Sequence, residues 1–181
     1  MALKLIISTQ LALCLGLSGC AGPRLPEMVT INGQDLKKAS EWKLEGVQSV
    51  VFIADGESMR SAPLQVGVLT STEHKTAREL SVWLLRQYRA ARVSRTHEEA
   101  DDVTACKIGA TEIPPRSFVA VHLCRDRGGF SACVEADALL TPGMRFANGD
   151  FPMSWEAICQ VQWDIYRSQL EALAERVMAQ R

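Results

Sequence analysis

The 181 residues contain no phosphate-cradling glycine loop, no Gly-x-Ser-x-Gly elbow, no His-Glu-x-x-His pair and no Cys-x-x-Cys. The short signatures of nucleotide binding, serine or zinc hydrolysis and thiol redox exchange are therefore missing. There is no basic excess either. Twenty Lys and Arg against 21 Asp and Glu give a formal charge of −1, without the electrostatic footprint of a nucleic-acid partner. No internal repeat or low-complexity tract is visible, and 47% apolar content argues against disorder. The one long apolar stretch, at the start, is shorter than the ~20 residues that span a bilayer.

That stretch is the most informative segment present. Lys4 supplies a positive start, Leu5, Ile6, Ile7, Leu11, Leu13, Leu15 and Leu17 form an apolar core, and Leu17-Ser18-Gly19-Cys20 closes it. An uncleaved anchor or an ordinary secretory signal fits less well, because the core is short and an ordinary cleavage site requires no cysteine. The four closing residues resemble the lipobox of bacterial lipoproteins. The resemblance implies a thioether-linked diacylglycerol on Cys20, cleavage before it and an acylated new amino terminus. Two or three acyl chains, each buried methylene worth ~0.8 kcal/mol, anchor almost permanently. Ala21 stands where an inner-membrane retention signal would place Asp, so the resemblance favours the outer membrane, periplasm-facing or at the cell surface.

Loss of residues 1–19 removes Lys4 and no acidic residue, leaving 162 residues with a formal charge of −2. That is one domain with enough chain for a real core. The expected organisation is a signal peptide at 1–19, a lipidated Cys20 and tether at 20–40, and a single α+β domain at 41–181. Its fold is expected to be a mainly antiparallel sheet with two long helices packed on it. Cys14 leaves with the signal and Cys20 carries lipid, so Cys106, Cys124, Cys133 and Cys159 remain, an even number in an oxidising compartment.

Strands are expected at Val47 to Ala54, Leu64 to Leu69 and Val103 to Gly109, with the polar stretch Ser94 to Asp102 read as a loop. Ser71 or Thr72 offers an N-cap to a helix over 73–92, with Ala77, Leu80, Trp83, Leu84 and Tyr88 along one side. Its outer surface carries Lys75, Arg78, Arg86, Arg89 and Arg92. This basic face is either solvated or a partner contact through Arg78, Arg86 and Arg89.

Phe118 to Arg125 and Phe130 to Ala138 read as a hairpin, because Gly128-Gly129 supplies the two positive φ angles of a type I′ turn. Opposed residue numbers then sum to 257, which sets Cys124 against Cys133 and His122 against Glu135. Cys124 and Cys133 fall in a non-hydrogen-bonded pair, ~4.5 Å apart at Cα, suited to a disulfide. Val119, Val121, Leu123, Ala132, Val134, Ala136 and Ala138 share the expected core face. His122, Glu135 and Asp137 share the more polar side, where His122 and Glu135 are expected to form a surface ion pair. By elimination Cys106 pairs with Cys159, although two free buried thiols are the competing reading.

A helix from Ser154 to about Gln180 repeats Cys159, Trp163, Tyr166, Leu170, Leu173 and Val177 at intervals of three and four. Its distal part, Leu170 to Met178, either packs along the sheet or projects as a partner contact through Leu170 and Val177. Ser40-Glu41-Trp42-Lys43 matches Ser-x-x-Lys but has no companion motif. A zinc site at His122 and the cysteines has no finger-like spacing. No cofactor beyond the covalent lipid is expected.

The function expected from these features is a non-enzymatic binding or assembly factor for an envelope machine serving secretion, pili or peptidoglycan synthesis. The alternative is a small-ligand or envelope-sugar binder using a cleft near Trp83 and Tyr88, and an unrecognised hydrolase is weaker still.

Overall fold

The computed structural model describes residues 25–87, 92–99, 101–112, 115–140 and 154–180. Residues 1–19, Cys20, Tyr88 and Arg89 lie outside them. Eight strands form one sheet: β1 (Met28–Ile31), β2 (Gln34–Leu44), β3 (Val47–Ala54), β4 (Leu64–Ser71), β5 (Arg92–Glu99), β6 (Asp102–Glu112), β7 (Pro115–Arg127) and β8 (Phe130–Leu139). Every pairing is antiparallel, in the order β1-β2-β3-β4-β8-β7-β6-β5. Two four-stranded meanders thus meet at β4 and β8, and β1 and β5 are the edges. Helices α1 (Ala77–Arg86) and α2 (Trp155–Ala179) are the helices among the described residues.

Three two-residue turns set the registers. Asn32-Gly33, Glu45-Gly46 and Gly128-Gly129 all have positive φ at both positions, the type I′ geometry whose twist matches the strands it joins. The third gives the expected pairing, with Cys124 opposite Cys133 and His122 opposite Glu135. Both disulfides form: Cys124–Cys133, Cα atoms 4.0 Å apart, and Cys106–Cys159, 5.8 Å apart.

The sheet is covered on both faces. On one, α2 packs Tyr166, Leu170, Leu173 and Val177 onto Val119, Val121, Leu123, Ala132, Val134 and Ala136, with Ala138 at the margin. On the other, α1 packs Leu80, Trp83 and Leu84 over Val47, Leu69, Val103 and the Cys124–Cys133 bridge. The expected core face is therefore correct, but it is one of two.

Several expectations are corrected. Residues 28–40, taken as tether, are β1 and the start of β2. Of the eleven side chains of β2, only Leu36 is buried, so the apolar alternation that marks a half-buried strand is absent. The polar stretch from Ser94 belongs to edge strand β5. The first helix is short. Its N-cap is Thr76, whose Oγ1 accepts from the Glu79 N–H at 3.1 Å while the Glu79 carboxylate accepts from the Thr76 N–H at 3.2 Å, a reciprocal capping box. Ser71 instead ends β4, its Oγ accepting from the backbone of Glu73 and His74. Leu170 and Val177, weighed as contacts on a projecting end, are buried in this chain's own core. The covered length of α2 is made possible by a sheet wide enough to span it.

Candidate functional site

Two polar constellations stand out. The first is internal. Lys107 on β6, His122 on β7 and Glu135 on β8 share the α1 side of the sheet, and all three are buried. Lys107 Nζ lies 2.5 Å from Glu135 Oε2, and His122 Nδ1 lies 3.9 Å from the same oxygen, too far for a hydrogen bond. His122 Nε2 meets Ser81 Oγ of α1 at 2.9 Å. The carboxylate beside Nδ1 favours the tautomer protonated there, so Nε2 accepts from the serine hydroxyl. Burial and the neighbouring Lys107 cation push His122 down to about 3, which keeps the imidazole neutral at pH 7. Burial likewise lowers Lys107, against the opposing pull of Glu135.

The expectation of a surface ion pair between His122 and Glu135 is thus overturned. The register brings them together, but α1 covers them and Lys107 takes the carboxylate. Ser81, His122 and Glu135 have the order of a nucleophile, a base and its orienting acid. With Ser81 and His122 under 3% exposed, no substrate reaches the hydroxyl while α1 is seated. The array acts as the polar seam that fixes α1 to the sheet.

The second constellation is open. A groove of about 310 Å³ lies between α2 and the β5–β6 edge, on the face opposite α1. Its floor is the Cys106–Cys159 bridge, Val121 and Leu123, and Trp163 stands half-buried in its wall. Among the described residues, the rim carries the carboxylates of Glu99, Asp102, Asp164 and Glu171 against one guanidinium, Arg167, and the imidazole of His97. Arg167 lies 6.0 Å from the Trp163 ring centroid, within cation–π range, and donates to Glu171 at 2.8 Å. Asp102 accepts from Arg125 at 2.7 and 2.6 Å, and Arg125 also reaches Glu175. Those bonds hold Arg125 above its ordinary value. Glu99 lies 2.7 Å from His97 Nε2 and Asp164 accepts from Gln160 at 2.8 Å, so the four carboxylates around the aromatic wall are each engaged by a donor of this chain and give the groove an acidic rim. On the next stripe of α2, Val161 and Ile165 are exposed, one turn apart.

Trp163, expected on the inward stripe of α2, is instead half-buried in the groove wall. The signal for the groove was the four-residue spacing of Trp163, Arg167 and Glu171, which places an aromatic, a cation and an anion on one helix flank. Arg78 and Arg86 are exposed on α1 as expected, with Arg78 3.7 Å from Glu98. At Trp83, one of the two aromatics of the alternative ligand cleft, the side chain is buried and its Nε1 donates to Glu45 at 2.7 Å; Tyr88, the other, lies outside the described residues. Among the described residues, no group of His, Cys, Asp and Glu could hold a metal ion, and no helix is long and apolar enough to cross a membrane.

No protein-family model and no curated protein matches the chain.

Proposed function

We propose that the chain is a lipoprotein anchored through Cys20 to the outer membrane on its periplasmic side, and that it works as a non-enzymatic binding or assembly factor for an envelope machine. The groove beside Trp163 is the observation that carries this reading. It is open, aromatic-walled and acidic, and it is built on a helix stapled to the sheet by Cys106–Cys159. A rigid, charged recess flanked by Val161 and Ile165 suits a cationic segment of a protein partner, with the carboxylates steering encounter and the apolar flank adding contact. The partner is then an envelope protein, and the lipid contributes location.

The experiment is photo-crosslinking in intact cells from a probe placed at Thr104, in the groove, and from a control probe at Arg86 on α1. A specific envelope protein captured from position 104 but not from 86, and lost when Trp163 is changed to Ala, supports the reading. Equal capture from both positions, or a mature chain without lipid on Cys20, overturns it.

A further inference from the structure

We propose that the end of β2 bearing Trp42 and Leu44 rests on the lipid surface, so that the chain meets the membrane at a second point besides its acyl chains. The inference rests on the reading of Cys20 as the lipidated residue. Trp42 is 38% and Leu44 48% exposed; the register shift between Lys38 and Ser40 turns the end of β2 over, and pairing with Ser49 and Val47 puts both on the α1 side of the sheet. Trp42 leans on Trp83, ring centroids 6.1 Å apart, and Trp83 leans in turn on His74 at 5.9 Å. The exposed indole is therefore braced from behind. Lys43, between them in sequence, lies on the opposite face of the strand. An exposed indole and leucine side by side match the residue types of the membrane–water boundary, where an amphipathic ring sits at headgroup level.

The path of the chain selects this end of the molecule. β1 pairs with β2 only over Gln34 to Lys37, and the last contact is the Lys38 N–H donating to the Glu27 carbonyl at 3.3 Å. The two segments run antiparallel, so the upstream direction from Glu27 is toward Leu44. Leu44 lies six residues beyond Lys38, ~20 Å along a strand. Cys20 lies seven residues before Glu27, a reach of at most ~25 Å. An acylated Cys20 can therefore reach the level of Trp42 and Leu44.

Sheet twist turns the binding groove the other way. Six strand steps separate β2 from β5, and at ~20–25° each they rotate corresponding strand ends by ~120–150°. Neighbouring positions of α2 register that rotation. Gln169 meets Asn32, at the β1–β2 turn, with side-chain amides 2.9 Å apart, while Arg167 lines the groove with Glu99, at the opposite end of β5. The groove therefore opens away from the end bearing Trp42, and a membrane against Trp42 leaves it free. The depth of contact is limited as well. Beyond Lys38 the outer edge of β2 has no strand partner among the described residues, and unpaired backbone groups are tolerated among wet headgroups but not in hydrocarbon.

The test uses the full-length protein, processed in cells and purified with its lipid, in zwitterionic vesicles whose acyl chains are brominated either near the headgroup or near the bilayer centre. Intact mass reports the lipid on Cys20 separately from the fluorescence. The expected result is loss of tryptophan emission with the shallow bromines, less with the deep ones, and disappearance of that quenchable component in Trp42→Phe. Leu44→Glu, at an exposed position, is expected to reduce the same quenching while the far-ultraviolet spectrum is unchanged. A lipidated protein whose emission is the same in brominated and unbrominated vesicles overturns the second contact and leaves the anchor standing; a partner strand added to β2 is then the competing occupant. A mass without lipid overturns both.

Discussion

Lys107 and Glu135 form an ion pair 2.5 Å long inside the sheet's second face, on strands separated by β7. Lys107 is fully buried and Glu135 nearly so. Such a pair is weak evidence of net stability, because desolvating both charges offsets their attraction, but breaking it strands a buried charge at ~3–5 kcal/mol. Glu135→Leu and Lys107→Met are each expected to lower unfolding free energy by about that much. The double variant Lys107→Met/Glu135→Leu should recover most of the loss. Urea melts of the four proteins measure the cycle, and additive losses in the double variant would show that the two residues act separately.

The bridges should differ in weight. Cys106 and Cys159 are 53 residues apart, Cys124 and Cys133 only 9. In the chain-entropy account these loops give about 4 and about 2.5 kcal/mol respectively. Removing Cys106–Cys159 by paired alanines should therefore lower the urea midpoint more than removing Cys124–Cys133. The longer bridge also ties the start of α2 to β6, so its loss should loosen the groove first, seen as faster amide exchange over α2. The opposite ranking would mean that strand pairing, more than loop closure, sets the weight of each bridge.

His122 gives a pH prediction whose sign is fixed. Its folded value, about 3, lies below the ordinary 6.5 because the ring is buried beside a cation. The unfolded chain therefore binds the extra proton between those values. The stabilisation is complete above about pH 6.5 and is lost as pH falls toward 3, at up to ~1.4 kcal/mol per pH unit. In His122→Asn the slope of unfolding free energy against pH over that window should drop by about one proton's worth. Melts at half-unit intervals from pH 7 to 4 measure it, and an unchanged slope would assign the acid sensitivity to carboxylates.

The hairpin register was legible because Gly128-Gly129 allows one turn and leaves no choice of partner for Cys124 or His122. The stripe of α2 was legible because a helix's buried side repeats every three or four residues. The surroundings of His122 were not. Alternation assigns residues to two faces, but it does not say whether a second helix covers the polar one, and α1 does. Lys107 was hidden for the same reason, since a lysine in a strand ordinarily signals solvent. Strands β1, β2 and β5 were missed because pairing at a sheet edge needs backbone more than apolar side chains. Asn32-Gly33 nevertheless carried a strong hairpin signal that locates β1 and most of the supposed tether. The groove was invisible because it depends on how α2 lies against β5, far away in sequence.

The groove's charge makes the last prediction. Glu99, Asp102, Asp164 and Glu171 surround Trp163, with Arg167 as the one guanidinium of the lining among the described residues, so the recess should take cations and refuse anions. A short oligolysine peptide should change the emission of Trp163, and an oligoglutamate peptide of the same length should not. The response should fade as salt is raised from 0.1 to 1 M, which shortens the screening length from about 10 Å to about 3 Å. Glu171→Gln has two effects in the same direction. It removes a rim charge, and it frees Arg167 from its 2.8 Å partner to lie over the indole, so both should weaken peptide binding. Arg167→Gln should strengthen it, since that change removes the competing cation while leaving all four carboxylates. If Arg167→Gln binds oligolysine no better than the parent protein, the guanidinium is a structural brace for Trp163 and not an occupant of the cation site.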